Sequence, residues 1–355
     1  MSATTRGRLG RLLQRLVAVE AAESGALLWS FAYFFLLLCS YYILRPLRDE
    51  MGITGGVQHL PWVFTGTFGV MLAAVPLFGF CAARFPRRKL LPVVYYFFAA
   101  SLLLFYLLFQ AEAWRAVTAR AFFIWTSVFN LFVVSVFWSF MVDLYTNTQA
   151  RRLFGFIAAG GSAGAIAGPL VTALLAVVLG PVNLLLVSCV LMLAAVFCIH
   201  RLVRWAQTCE AAVAPGVTAP ARSEQPLGGS MWAGFALVAR TPYLLGIGLF
   251  IWLFTTLSTF LYFEQAHIVA ATFSEPAERT RLFALIDLGV NVLTLAIQLA
   301  FTGRLLTWLG VPWTLALVPL LTAAGFIGLG VAPVLPVLVA FQIARRAGDY
   351  AVMRP

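Results

Sequence analysis

Charge is scarce in this sequence. Of 355 residues only 10% are Asp, Glu, Lys or Arg, and all but one of the 24 basic residues are arginine, Lys89 being the exception. Histidine is limited to three scattered positions, His59, His200 and His267, so no histidine-based metal site is expected. The five cysteines include no CxxC pair and mostly fall inside apolar runs. They read as small core residues, not as disulfides or metal ligands. No Gly-Lys-Ser/Thr is present to cradle a nucleotide phosphate. Gly160-x-Ser162-x-Gly164 has the outline of a hydrolase elbow, but neither the preceding strand nor a histidine partner that such a nucleophile needs. The sequence therefore predicts no enzyme and no cofactor.

What is abundant is hydrocarbon. Hydrophobic residues make up 62% of the chain, and the mean hydropathy is +0.94, far from the composition of soluble domains. Charge-free runs of about 20 residues are long enough for a helix to cross a hydrocarbon core of ~30 Å. These runs are continuous in Leu, Val, Phe and Ala and do not alternate, which excludes a barrel. The predicted fold class is all-α, a polytopic membrane protein. The net charge of +11 sits in short arginine clusters between apolar runs, a topology signal and not a nucleic-acid surface.

The runs place spans at about 26 to 46, 60 to 83, 90 to 111 and 121 to 143. Leu153 to His200 is 48 residues without a formal charge, more than twice a bilayer at ~1.5 Å per residue, so it folds back at Gly180-Pro181-Val182-Asn183. Spans seven and eight follow at about 241 to 263 and 282 to 303, and Leu305 to Ala344 is divided at Ala332-Pro333-Val334-Leu335-Pro336 into span nine and the start of span ten. Residues 1–25 form an amphipathic cytoplasmic segment, with Leu9, Leu12, Leu13, Leu16 and Val17 opposite Arg8, Arg11 and Arg15. Residues 26–204 form a six-helix bundle, 205–230 a polar cytoplasmic linker, and 231–355 a second, incomplete bundle of about four helices. Fifteen basic residues fall on the side of the N-terminus and six on the other, which predicts a cytoplasmic N-terminus in a cell membrane, a bacterial inner membrane being the expected one.

Four groups of residues carry candidate function. SYYILRPLRDEMG, from Ser40 to Gly52, puts Tyr41, Arg45, Arg48 and Asp49 at helical spacing on one face, and Arg45 and Asp49 are spaced to pair at i, i+4. Two readings of that face stand open: a cavity lining that binds an anionic substrate, or arginines snorkelling at the outer end of a span. Arg345 and Arg346 would lie ~15 Å inside span ten, near the depth where transporter sites form, with Asp349 as a partner. The other reading makes them a terminal cytoplasmic cluster. Asp143 is expected to pair with Arg151 or Arg152 as a gate contact, and Asp287 is the candidate for proton coupling. Gly160, Gly164 and Gly168 recur every four residues, which predicts close helix packing.

Two loops carry a resemblance. GFCAARFPRRKLLP after span two and GRLLTWLGVPWTL after span eight both resemble the loop between helices two and three of the major facilitator superfamily. In the first, Gly79, Arg84, Arg87 and Arg88 fit, while Ala83 replaces the acid and Pro86 the second glycine. In the second, Gly303 and Gly310 fit, and Thr307 and Trp308 stand where the acid and arginine would be. ILRPLRDEM, followed by Gly55-Gly56, His59, Leu60 and Pro61, resembles the first-helix region of the nucleotide (ATP/ADP) translocases. There Ile43, Leu44, Arg45 and Asp49 match, Arg48 stands in place of lysine, and Pro46 departs from an aspartate. The resemblance implies twelve helices, of which ten spans are visible. It also implies alternating access to a small, anionic, nucleotide-like solute, a possible coupling ion, and a gating role for Arg84, Arg87 and Arg88. The alternative class is a non-transporting sensor or scaffold on a degenerate or truncated transporter fold.

Overall fold

A computed structural model describes residue 20 and residues 23–84, 87–212 and 240–353. The amphipathic segment at 1–19 and most of the linker lie outside the described residues. Ten helices follow one another: α1 (Ser24–Thr54), α2 (Leu60–Arg84), α3 (Arg87–Leu108), α4 (Arg115–Leu144), α5 (Asn147–Leu179), α6 (Leu184–Ala212), α7 (Pro242–Thr272), α8 (Pro276–Ala300), α9 (Thr302–Val331) and α10 (Leu335–Gly348). Among the described residues nine of these contain a stretch long and apolar enough to cross a membrane. The protein is an all-α polytopic membrane protein. The tenth expected span is instead a 14-residue helix, α10, running into a five-residue π turn, Asp349–Met353.

Helix ends follow local chemistry. Thr146 opens α5 with a capping box, its hydroxyl taking the Gln149 N–H and the Gln149 side chain taking the Thr146 N–H. Prolines pre-set the first turns of α7 and α8. The break expected at 180–183 falls between α5 and α6, where Gly180 adopts φ +80°, a conformation open to glycine at no steric cost. Gly310, at φ +72°, turns the chain within α9.

Several helices outrun their charge-free stretches, and this is the main departure from the expected boundaries. α1 continues from the expected end at 46 to Thr54, α7 from 263 to Thr272, α6 from 200 to Ala212, and α8 starts at Pro276 instead of 282. Charge does not end a helix when the side chain has a partner, as Arg48, Asp49 and Glu50 of α1 and Arg279 of α8 have.

α1 is the centre of the first half, packed against α4, α5 and α6. Its contact with α5 is close enough that a Cβ on Gly164 would overlap the Phe35 carbonyl oxygen, and one on Gly168 would stand 2.7 Å from that of Cys39. The glycine stripe therefore lets two backbones touch, the usual route to helix association where no hydrophobic effect separates helix from lipid. Several polar groups inside the bundle pair between helices: Ser40 and Ser188 Oγ lie 2.7 Å apart, the Tyr33 hydroxyl donates to Tyr95 at 2.6 Å, and Ser30 and Tyr145 meet at 2.9 Å. Cys39, Cys189 and Cys198 are free and buried in this packing.

The second half packs more loosely around itself and leans on the first. One core cluster unites Ile53 and Leu60 with Leu261, Phe283, Val290 and Phe341. α8 is the main bridge, lying against both α5 and α1.

Candidate functional site

The sequence SYYILRPLRDEMG lies wholly within α1, so its charges are not at a helix end but along the interface between the two halves. Counting ~1.5 Å per residue, Arg45 is about 14 Å from the Thr54 end of α1, and Asp287 about 17 Å from the Pro276 end of α8. The two meet. Arg45 Nε lies 3.6 Å from Asp287 Oδ2, and Arg346 Nη2, from α10, donates to Asp287 Oδ1 at 2.6 Å. Asp287 is 1% exposed, so a buried carboxylate joins an arginine from each half.

Nearer the Thr54 end the halves meet again. Glu50, fully buried, takes a hydrogen bond from Arg279 Nη2 at 3.2 Å and one from the Thr54 hydroxyl at 2.6 Å. Asp49 Oδ1 accepts from Tyr262 at 3.0 Å and from both Nε and Nη2 of its neighbour Arg48, at 3.1 and 2.9 Å. The Arg48 guanidinium also lies 4.9 Å from the Phe123 ring centroid, a cation–π contact. Further from that end, Asn291 donates to the Ala165 carbonyl at 2.7 Å, and Gln342 to Gln265 at 2.6 Å.

Two chambers flank the Arg45 level. The larger, 570 Å³, is walled by α1, α4, α5 and α8 and includes Tyr41, Tyr42, Asn130, Ser162, Asn291 and Gln298. The smaller, 350 Å³, is walled by α1, α2, α4, α7 and α10 and includes Arg345, Arg346, Asp49, Asp349, Ser258 and Tyr262. Arg45, Arg48 and Tyr350 line both. The first and fourth helices of each half, α1 with α7 and α4 with α10, thus all contribute. Arg345 is 7% exposed; its Nη1 donates to Ser258 at 2.8 Å while its Nε has no hydrogen-bond partner.

The structure brings together eight of the residues singled out from sequence: Tyr41, Arg45, Arg48, Asp49, Arg345, Arg346 and Asp349 line the two chambers, and Asp287 joins Arg45 to Arg346 beside them. It corrects one pairing. Arg45 does not close on Asp49 four residues away, because Asp49 is held by Arg48 and Tyr262 while Asp287 offers Arg45 a buried partner. Arg346 is paired with Asp287, and Asp349, opening the π turn that follows, lines the smaller chamber with Arg345 and Arg346. Asp143 is exposed at the end of α4, and Arg152 reaches Glu23 at 3.2 Å, tying α5 to the start of α1. Arg84 ends α2, and Arg87 and Arg88 begin α3; their side chains lie outside the described residues. Sequence reading missed Glu50, Arg279, Tyr262 and Tyr350. For Glu50 a signal existed, an acid beside Asp49 in an apolar stretch; for Arg279 the local sequence offered only a topology charge. Among the described residues no three His, Cys, Asp or Glu side chains come together to hold a metal ion.

No protein-family model matches the chain, and no curated protein matches it.

Proposed function

We propose that the chain is a secondary transporter of major facilitator type, carrying a small anionic solute by alternating access as its two helical halves rock about the Arg45 level. The observation that carries this reading is the pair of arginine-lined chambers between the halves, deep in helices long enough to span a bilayer. Arginine at membrane depth is costly unless paired or facing a water-filled cavity. Four of them around one space supply charge and fork geometry for carboxylate or phosphate oxygens. The resemblance of ILRPLRDEM to nucleotide translocases adds nucleotides to the anions to be tested, and the excess of arginine on one side of the spans favours a cytoplasmic N-terminus in a bacterial inner membrane. Exchange or an ion gradient would drive the cycle.

The test is counterflow into liposomes loaded with unlabelled anion, using labelled nucleotides, phosphate and di- and tricarboxylates. The expected result is transient accumulation of at least one label, with the rate reduced at least about tenfold in Arg45→Ala, as for loss of a charge-assisted contact. Absence of counterflow for every anion contradicts the proposal.

A further inference from the structure

The Asp287 clamp has an incomplete geometry. A carboxylate between two guanidinium forks has room for several donors, yet Asp287 takes one hydrogen bond, from Arg346, and its buried Oδ2 has no hydrogen-bond partner. Arg45 faces that oxygen at 3.6 Å, a charge contact outside hydrogen-bonding distance. One residue before Arg346, the buried Arg345 has an Nε without a partner and lines the smaller chamber. The clamp thus holds guanidinium donors that Asp287 leaves unused.

We infer that Asp287 is a resident stand-in for the ligand: in the empty protein it fills an oxyanion seat made by Arg45 and Arg346, and a carboxylate or phosphate binds by replacing it. This rests on the anion-carrier reading above and names the competitor at that same site. The incoming group brings at least two oxygens on a mobile body, so it can bond Arg45 and Arg346 together and reach Arg345, which Asp287 on α8 does not. Because Asp287 is a buried link from α8 to α1 at this depth, its displacement removes one of the bridges that hold the halves together, leaving Glu50–Arg279 and Asp49–Tyr262 nearer the Thr54 end. Ligand charge and conformational change are then one event: a neutral analogue has nothing to exchange for the carboxylate.

The signature is an inverted mutant effect. A seat that its own competitor leaves open about a tenth of the time binds about tenfold more weakly than the empty seat. Asp287→Asn should therefore bind inorganic phosphate or malonate at least about tenfold more tightly than the native full-length chain in lipid nanodiscs, measured by calorimetry. Asp287→Glu, which keeps the charge, should show no gain, and Arg45→Ala added to Asp287→Asn should abolish it. Separate phosphate and malonate titrations distinguish a phosphoryl from a carboxylate ligand. Native chain that binds, with Asp287→Asn binding equally or more weakly, overturns the exchange and leaves the anion-carrier reading standing. No binding to any form overturns both. If Asp287→Asn cannot be recovered, spin labels at Gln58→Cys and Ser274→Cys, exposed and one in each half, test the native Asp287: saturating phosphate or malonate should lengthen their distance, and an unchanged distance refutes the displacement.

Discussion

Glu50 and Arg279 offer the sharpest test of how the halves are held together. Glu50 has no exposed surface and the Arg279 side chain is 12% exposed, so neither charge has bulk water to fall back on. Their contact is one hydrogen bond of 3.2 Å, and both Glu50 Oε2 and Arg279 Nε are buried without a partner. Breaking such a pair from one side strands a buried charge and costs about 3–5 kcal/mol, while replacing both partners by apolar groups of similar size is often neutral or stabilising. Arg279→Met should thus lower the apparent melting temperature of the purified protein by on the order of 10 °C. Glu50→Leu should do the same, and the double substitution should recover most of the loss, so that the coupling energy from a double-mutant cycle approaches the sum of the two single losses. The assay is thermal unfolding in nanodiscs followed by intrinsic fluorescence. Additive single effects would show that the two groups do not depend on each other and would refute the bridge.

Other expectations follow from the packing. Gly164→Ala should destabilise by about 1–3 kcal/mol, because the new methyl meets a backbone oxygen that cannot step aside; Gly155→Ala, in open space on the same helix, should be neutral or stabilise by up to about 1 kcal/mol, and both are read from chemical unfolding. Ser40→Ala should cost about 0.6 kcal/mol, the mean for hydrogen bonds between membrane helices, and Ser188→Ala added on top should cost a similar amount again, because the Ser188 hydroxyl also donates to the Ser40 carbonyl at 3.1 Å. Cys39, Cys189 and Cys198 are buried, so mass spectrometry should find them unmodified by maleimide in the folded protein and modified after unfolding.

The fold was legible wherever a local property determined it. Apolar run lengths placed ten spans, nine of which fall on helices long and apolar enough to cross a membrane among the described residues, and the turn residues at 180–183 located the fold-back because Gly180 needs a positive φ. The glycine stripe announced a close contact, though not that its partner was α1. Boundaries failed where charge was taken as a stop signal: α1 carries Arg45, Arg48, Asp49 and Glu50 inside the helix because Asp287, Tyr262 and Arg279, more than two hundred residues later, meet or neutralise them. The same blindness produced the Arg45–Asp49 expectation. Helical spacing lists which residues are near one another on a helix, and it is silent about a better partner from another. Tyr350 is the clearest case: nothing in its surroundings marks it, and only the π turn after α10 brings it to the wall between the chambers.

The central claim is that the space around Arg45 opens to each side of the membrane in turn. Ser162 lines the larger chamber and Thr67 the smaller. Cysteines placed singly at these positions in a cysteine-free chain can be challenged with an impermeant thiol reagent from either face of oriented vesicles. Both should be labelled from both faces, with a saturating transported anion raising the rate from one face and lowering it from the other. Labelling of each position from a single face, unchanged by any anion, would contradict alternating access.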